Sequence, residues 1–251
     1  MVIWVYAGGG PAESAGFVPF LQRHLPHNFQ RRTPARMKPG PKPPRVPPGA
    51  TTSSVVGQQH HPRFPSGCTG PSLARQIRDN ISAYWDGTAE AVLVLDDTDE
   101  ADPPERIALL RGAVEQALRD RAALTEEHAT PIVVALAVPE LEVWLLADWK
   151  NTFRRQFPDC HTALRHELST RRGFKFEAPE SFRVRDDEER YHKLSEELVD
   201  AIRLICHSNP RYSKATDTPT LLQRIDPAVV SRKCPHFRRF WTALSKLGVD
   251  G

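Results

Sequence analysis

The sequence predicts an α/β protein: a parallel sheet flanked by helices, followed by an all-helical C-terminal extension. Val2-Ile3-Trp4-Val5-Tyr6, Ala91-Val92-Leu93-Val94-Leu95 and Ile132-Val133-Val134-Ala135-Leu136-Ala137-Val138 are unbroken apolar runs of strand length. A strand buried on one face alternates apolar and polar residues, whereas unbroken runs mark strands covered on both faces, as in parallel sheets. Helical periodicity separates these runs, and beyond about residue 150 only helical patterns recur. The expected division is 1–150 for the α/β part and 151–251 for the helical extension.

The first run closes in Ala7-Gly8-Gly9-Gly10-Pro11, a tight turn into a helix with Phe17, Phe20, Leu21 and Leu25 at helical spacing. Seven of the chain's 23 prolines fall between Pro34 and Pro48, a density that no helix or central strand tolerates. Residues 26–70 therefore read as a long irregular loop. Ser72 is the expected N-cap of a helix carrying Leu73, Ile77, Ile81 and Tyr84. After the second strand, 103–122 form a helix with Ile107, Leu110, Val114 and Leu118 on one face. The third strand runs into Pro139-Glu140-Leu141-Glu142-Val143-Trp144, which turns helical. Polar residues 168–190 read as a loop, and helices are expected near 191–206, 219–224 and 235–246, the last burying Phe237, Phe240 and Leu244.

Charge is unevenly distributed. The stretch from Ser14 to Arg78 holds no Asp or Glu but ten Arg and Lys residues, leaving 24 basic against 31 acidic residues elsewhere. A one-sign segment points to an anionic partner, most commonly nucleic acid, with Arg31, Arg32, Arg36, Lys38, Lys42 and Arg45 as candidate phosphate contacts. Arg211, Lys214, Arg224, Arg232, Lys233, Arg238 and Arg239, together with Tyr212, Phe237 and Trp241, suggest a second basic surface with aromatic residues for base stacking. No apolar run reaches the roughly 18 residues of a membrane span, and the N-terminus lacks a secretory pattern, so a cytoplasmic location and no membrane partner are expected. Four widely spaced cysteines indicate neither a disulfide framework nor a zinc module. Without a P-loop or a Gly-x-Ser-x-Gly elbow, nucleotide hydrolysis and serine-hydrolase chemistry are not expected.

Ligands of parallel α/β sheets bind outside the carboxyl ends of the strands. Acids follow all three predicted strands: Glu13 after the glycine turn, Asp96, Asp97 and Asp99 after the second, Glu140 and Glu142 after the third. Such a convergence is tolerable when a cation offsets it, and carboxylate oxygens are the ligands that Mg²⁺ (or Mn²⁺) takes. With two ions, such a site suits in-line phosphodiester cleavage. Residues two apart on a helix point about 200° from each other, so Glu140 and Glu142 are expected to share a site only if no helix has begun between them.

These residues carry a resemblance. The glycine turn, the Asp-x-Asp cluster and Pro139-Glu140-Leu141-Glu142-Val143-Trp144-Leu145-Leu146-Ala147-Asp148 resemble a family of bacterial Toprim-like proteins, related to the overcoming-lysogenisation-defect-type nucleases. Arg211-Tyr212-Ser213-Lys214, Leu221-Leu222-Gln223-Arg224-Ile225-Asp226-Pro227 and Cys234-Pro235-His236-Phe237-Arg238-Arg239-Phe240 extend it over nearly the whole chain. Toprim domains hold Mg²⁺ with a glutamate after the first strand and an Asp-x-Asp after the second. The resemblance thus implies a Mg²⁺-dependent nuclease acting on DNA or RNA in anti-phage or mobile-element defence, with a partner ATPase or another defence subunit as the expected protein partner. Carried over, the Asp-x-Asp falls on Asp97 and Asp99, with Asp96 the alternative first member, and the later acids on Glu140 and Glu142. One position departs: Ala7 stands where the family has its glutamate. Either Glu13 replaces that acid, or the chain is a catalytically degraded nucleic-acid-binding or regulatory subunit.

Overall fold

The computed structural model describes residues 1–32, 68–122, 130–183, 193–206 and 212–248. Four strands form one parallel sheet: β1 (Val2–Ala7), β2 (Asn28–Arg31), β3 (Ala91–Asp97) and β4 (Ile132–Ala137), in the order β2-β1-β3-β4. Helix α1 (Pro11–His24) joins β1 to β2, α2 (Gly70–Tyr84) precedes β3, and α3 (Pro103–Ala122) follows it. Strand order reverses between β1 and β3. The crevice at their carboxyl ends is therefore the switch point where open α/β sheets bind ligands.

Side-chain alternation assigns the two faces of the sheet. Ile3, Val5, Ala7, Leu93, Leu95, Val133, Ala135 and Ala137 face α1 and the C-terminal helices, while Trp4, Tyr6, Val92, Val94 and Leu136 face α2 and α3. The unbroken apolar runs arise because both faces are covered. The helices after the sheet are α4 (Glu142–Ala147), α5 (Phe153–Gln156), α6 (His161–Thr170), α7 (Leu194–Ile205), α8 (Lys214–Leu222), α9 (Pro227–Lys233) and α10 (Pro235–Lys246). They share one hydrophobic core with the first face of the sheet, in which Trp144, Phe17, Phe20, Phe237 and Phe240 interlock. As expected, Phe237, Phe240 and Leu244 are buried. Helices α1 and α8 meet at Gly16, where a Cβ would stand 2.6 Å from Pro219 Cα. Only a bare backbone permits this approach, which sets the start of α8 beside the start of α1.

Several expectations are corrected. Residues 26–70 are not irregular throughout: Asn28–Arg31 form strand β2, parallel to β1. The strand escapes pattern reading because it is a four-residue edge strand in which Phe29 alone is buried. Both described ends of this segment lie at the carboxyl edge of the sheet, since β2 ends there and Cys68 O accepts a hydrogen bond from Gly9 N at 3.2 Å. Residues 33–67, with Arg36, Lys38, Lys42 and Arg45, lie outside the described residues. Helix α2 takes Thr69 as its N-cap rather than Ser72, and its Tyr84 is exposed. The helix expected at 219–224 begins earlier, at Lys214, and α9 was not anticipated.

The cysteine reading is also corrected. Cys160, ahead of α6, is disulfide-bonded to Cys206, at the end of α7, with Cα atoms 5.6 Å apart and a sequence separation of 46. Such a separation leaves no spacing signature in the sequence. Cys68 and Cys234 are not part of a disulfide. Ellman titration of the unfolded, unreduced protein should count two thiols rather than four, and reduction should cost about 2–4 kcal/mol of stability, the usual effect of opening a loop of this size. Four titratable thiols would contradict the pairing.

Candidate functional site: an acidic crevice around Lys214

The glycine turn after β1 leads directly into the crevice. Gly9 adopts φ +76°, and a Cβ there would meet the Glu13 carboxyl carbon at 2.9 Å. A glycine thus gives both the left-handed turn and the space into which Glu13 folds back. Glu13 Oε2 accepts a hydrogen bond from Gly10 N at 2.6 Å, capping α1 and placing the carboxylate just beyond the end of β1. Ala7, the last residue of β1, is buried.

Asp96 and Asp97 end β3 and therefore point to opposite faces. Asp97 turns to the α1 and α8 side. Asp96 turns to the α2 and α3 side, where it accepts hydrogen bonds from Gly70 N at 2.8 Å and Arg106 Nη1 at 2.7 Å. Burial raises its pKa to about 6 despite those two partners. Asp96 is thus an internal ion-pair partner and helix cap, and the structure does not bring it to the ion site expected of it. Asp99 follows in the left-handed region, φ +48°, with its carboxylate 3.9 Å from Lys193 Nζ at the rim.

Beyond β4, Glu140 precedes α4 and Glu142 is its first residue. Helix has therefore begun between them, yet both face the same point, contrary to the expectation from helical spacing. Glu140 does so from the turn before the helix, while its two oxygens accept hydrogen bonds from Leu194 N (2.9 Å) and Ser195 N (3.4 Å) at the start of α7. Glu142 accepts one from the Tyr212 hydroxyl at 3.2 Å.

The common point is Lys214 Nζ. It stands 3.1 Å from Glu13 Oε1, 3.3 Å from Glu142 Oε2, 3.9 Å from Glu140 Oε2 and 4.0 Å from Asp97 Oδ2. Glu13, Asp97, Glu140 and Glu142 are all buried. Burial pushes the Asp97 carboxyl well above the usual carboxylate range; Lys214 opposes the shift, and Glu13, Glu142 and Glu140 add to it. Burial likewise raises Glu142, again opposed by Lys214. Burial works against the ammonium, but the pull of Glu142, Asp97, Glu13 and Glu140 overrides it and holds the Lys214 pKa above its ordinary value. One positive charge thus faces four acids. Burying the acids is tolerable because helix starts supply N–H donors to Glu13 and Glu140 and a favourable dipole.

A cavity of about 390 Å³ opens over this cluster, lined in part by Gly9, Gly10, Thr69, Asp99, Lys193 and Ala215. Helices α1, α2, α7 and α8 all begin at its wall, an arrangement that favours anions. Sequence reasoning placed Glu13, Asp97, Asp99, Glu140 and Glu142 here. It missed Lys193, and it counted Lys214 only toward a general basic surface.

The donor set suits a hard divalent cation: all-oxygen, carboxylate-rich and under-neutralised. Glu13 Oε1 and Glu142 Oε2 are buried without a hydrogen bond among the described residues, each facing the ammonium. Among those residues no group of three or more His, Cys, Asp or Glu side chains stands ready-made to hold an ion. The oxygens are instead spread around an ammonium, at nitrogen–oxygen contact distances rather than the roughly 2.0–2.1 Å of Mg²⁺ ligands. The residues fit an ion once Lys214 yields its place.

The expected nucleic-acid contacts fall in different settings. Arg31 ends β2 and is exposed. Arg32 is stacked over Trp4, its guanidinium carbon 3.9 Å from the ring centroid, on the face away from the acidic cluster. Arg238 and Arg239 are exposed, but Tyr212 and Phe237 are core residues and Trp241 stacks on Phe237, so they form no free stacking surface. Among the described residues no helix is long and apolar enough to cross a membrane.

Fold and site together define a parallel α/β protein with a carboxylate-lined crevice at its topological switch point. The chain belongs to the family DUF4276, a domain of unknown function, whose model matches residues 11–245. No curated protein and no solved structure matches it significantly.

Proposed function

We propose that the protein is a Mg²⁺-dependent nuclease of Toprim type, acting on DNA or RNA in defence against phage or mobile elements, alongside a partner ATPase or another defence subunit. The observation that carries this reading is the meeting of Glu13, Asp97, Glu140 and Glu142 around one cationic point at the switch-point crevice. These residues would hold Mg²⁺ (or Mn²⁺), and the bound ion supplies a Lewis acid at a phosphodiester oxygen. Asp99 lines the cavity above them and helps to hold Lys193 at the rim, where its ammonium meets an incoming phosphate. The basic sequence between Arg31 and Arg63 leaves and re-enters the fold at this same edge, which suits a sequence-independent hold on the nucleic-acid backbone.

A second reading, a nucleic-acid-binding or regulatory subunit without catalysis, is favoured by Ala7 and by the capping bonds that already engage Glu13 and Glu140. Cleavage assays on single- and double-stranded DNA and RNA with Mg²⁺ or Mn²⁺ separate the two. Under the nuclease reading, wild type cleaves and Glu13→Gln loses most of the activity. An inactive wild type in which Ala7→Glu restores cleavage supports the subunit reading instead. Replacing Arg31, Arg36 and Lys38 by Ala should weaken nucleic-acid binding and shallow its logarithmic salt dependence by about one unit per lost phosphate contact. An unchanged slope would remove this segment from the interface.

A further inference from the structure

Lys214 is held in the cluster in an unusual way. Its side chain is 34% exposed, whereas the carboxylates around it are between 0% and 9% exposed. It therefore enters from the cavity side, while the acids form the floor. Its two nearest oxygens, Glu13 Oε1 and Glu142 Oε2, are buried atoms that accept no hydrogen bond among the described residues. Charge, rather than a set of directional bonds, keeps the ammonium where it is. One cation therefore faces four buried acids.

A divalent ion drawn to these oxygens needs the space the ammonium occupies, and two cations so close repel strongly in a poorly solvated site. The carboxylates of Glu13, Glu140 and Glu142 are fixed by Gly10 N, by Leu194 N and Ser195 N, and by the Tyr212 hydroxyl, so they have little freedom to make a second position. The lysine has that freedom: it carries a flexible four-carbon stem and stands at the wall of the 390 Å³ cavity. We infer that Lys214 is an exchangeable occupant of the ion position, holding the cluster together in the metal-free protein and swinging into the cavity when a divalent ion enters. The inference rests on the metal reading above and adds a regulation to it. Ion affinity is set by competition with a residue of the chain itself, and ion entry delivers an ammonium to the cavity where a phosphate would lie.

The test uses the full chain with Mn²⁺ alone, in two arms. In the first, calorimetric titration compares wild type with Lys214→Met, which should bind Mn²⁺ at least about tenfold more tightly because the competitor is gone. In the second, wild type is acetylated with and without Mn²⁺ and the modification of each lysine is followed by mass spectrometry. Lys214 should react far more slowly than Lys193 in EDTA and several-fold faster once Mn²⁺ is added. The second arm needs no variant, so it decides the matter even if Lys214→Met does not fold. Mn²⁺ binding with Lys214 labelling unchanged or slowed overturns the exchange and leaves the metal reading standing, as does a Lys214→Met protein that binds Mn²⁺ no more tightly. No Mn²⁺ binding by either protein overturns both.

Discussion

Asp97→Asn should reduce Mg²⁺-dependent cleavage by at least about a hundredfold while leaving the fold intact, the scale of loss expected when a key electrostatic group of an active site is removed. Asparagine has nearly the shape of aspartate but brings no charge to offset an ion. The same substitution should change the pH dependence of stability in the metal-free protein. Burial and the neighbouring Glu13, Glu142 and Glu140 raise the Asp97 pKa in the folded state above its unfolded value. The folded protein therefore binds that proton more tightly than the unfolded chain does. Its contribution is complete below the ordinary carboxylate range and is lost as pH rises through the elevated folded value. Asparagine cannot ionise, so melting in EDTA should show wild type losing stability relative to Asp97→Asn as pH increases from 5 to 8. A variant that cleaves like wild type would show that the cluster is not the catalytic centre.

Trp144→Ala should cost about 3–5 kcal/mol, the range for truncating a large buried aromatic side chain. Trp144 is fully buried, with ring centroids 4.9 Å from Phe237, 5.7 Å from Phe240 and 6.3 Å from Phe17. It thus ties α4 to both α10 and α1. It also lies two residues beyond Glu142, so the collapse should weaken Mn²⁺ binding as well. Trp144→Phe should be far milder, about 1 kcal/mol or less, because the indole Nε1 is buried without a hydrogen bond among the described residues and its loss removes an unpaired donor. Denaturant unfolding of the two variants measures both values; equal losses would mean that ring packing is not what matters at this position.

The parts of the fold legible in the sequence were those with a strong period or an uninterrupted run. Three of the four strands announce themselves because both faces of the sheet are covered, so no polar residue breaks them. β2 does not, because a short edge strand buries one side chain and otherwise reads Asn, Gln, Arg. The acids are legible by topology: whatever follows a parallel strand emerges at one edge, so the sequence alone brings Glu13, Asp97, Glu140 and Glu142 together. What topology could not decide was direction. Asp96 and Asp97 are adjacent and chemically alike, and the alternation of the strand sends one into an internal ion pair with Arg106 and the other into the crevice. Lys214 was out of reach for a different reason. The ammonium that meets the acids comes from the first turn of a helix more than 70 residues beyond Glu142, brought there by the close contact of α1 with α8 at Gly16. Four acids gathered at one edge do require a cation, so the need was visible even though its source was not.

Metal-dependent cleavage requires a divalent ion held by the cluster of Glu13, Asp97, Glu140 and Glu142. The most direct measurement is diffraction from crystals soaked in Mn²⁺, with data collected at the manganese absorption edge. At least one anomalous peak is expected between the carboxylates of Glu13, Asp97, Glu140 and Glu142, with Lys214 Nζ moved off that position. A map without a peak there, with Lys214 still lying among the four acids, would contradict the metal reading.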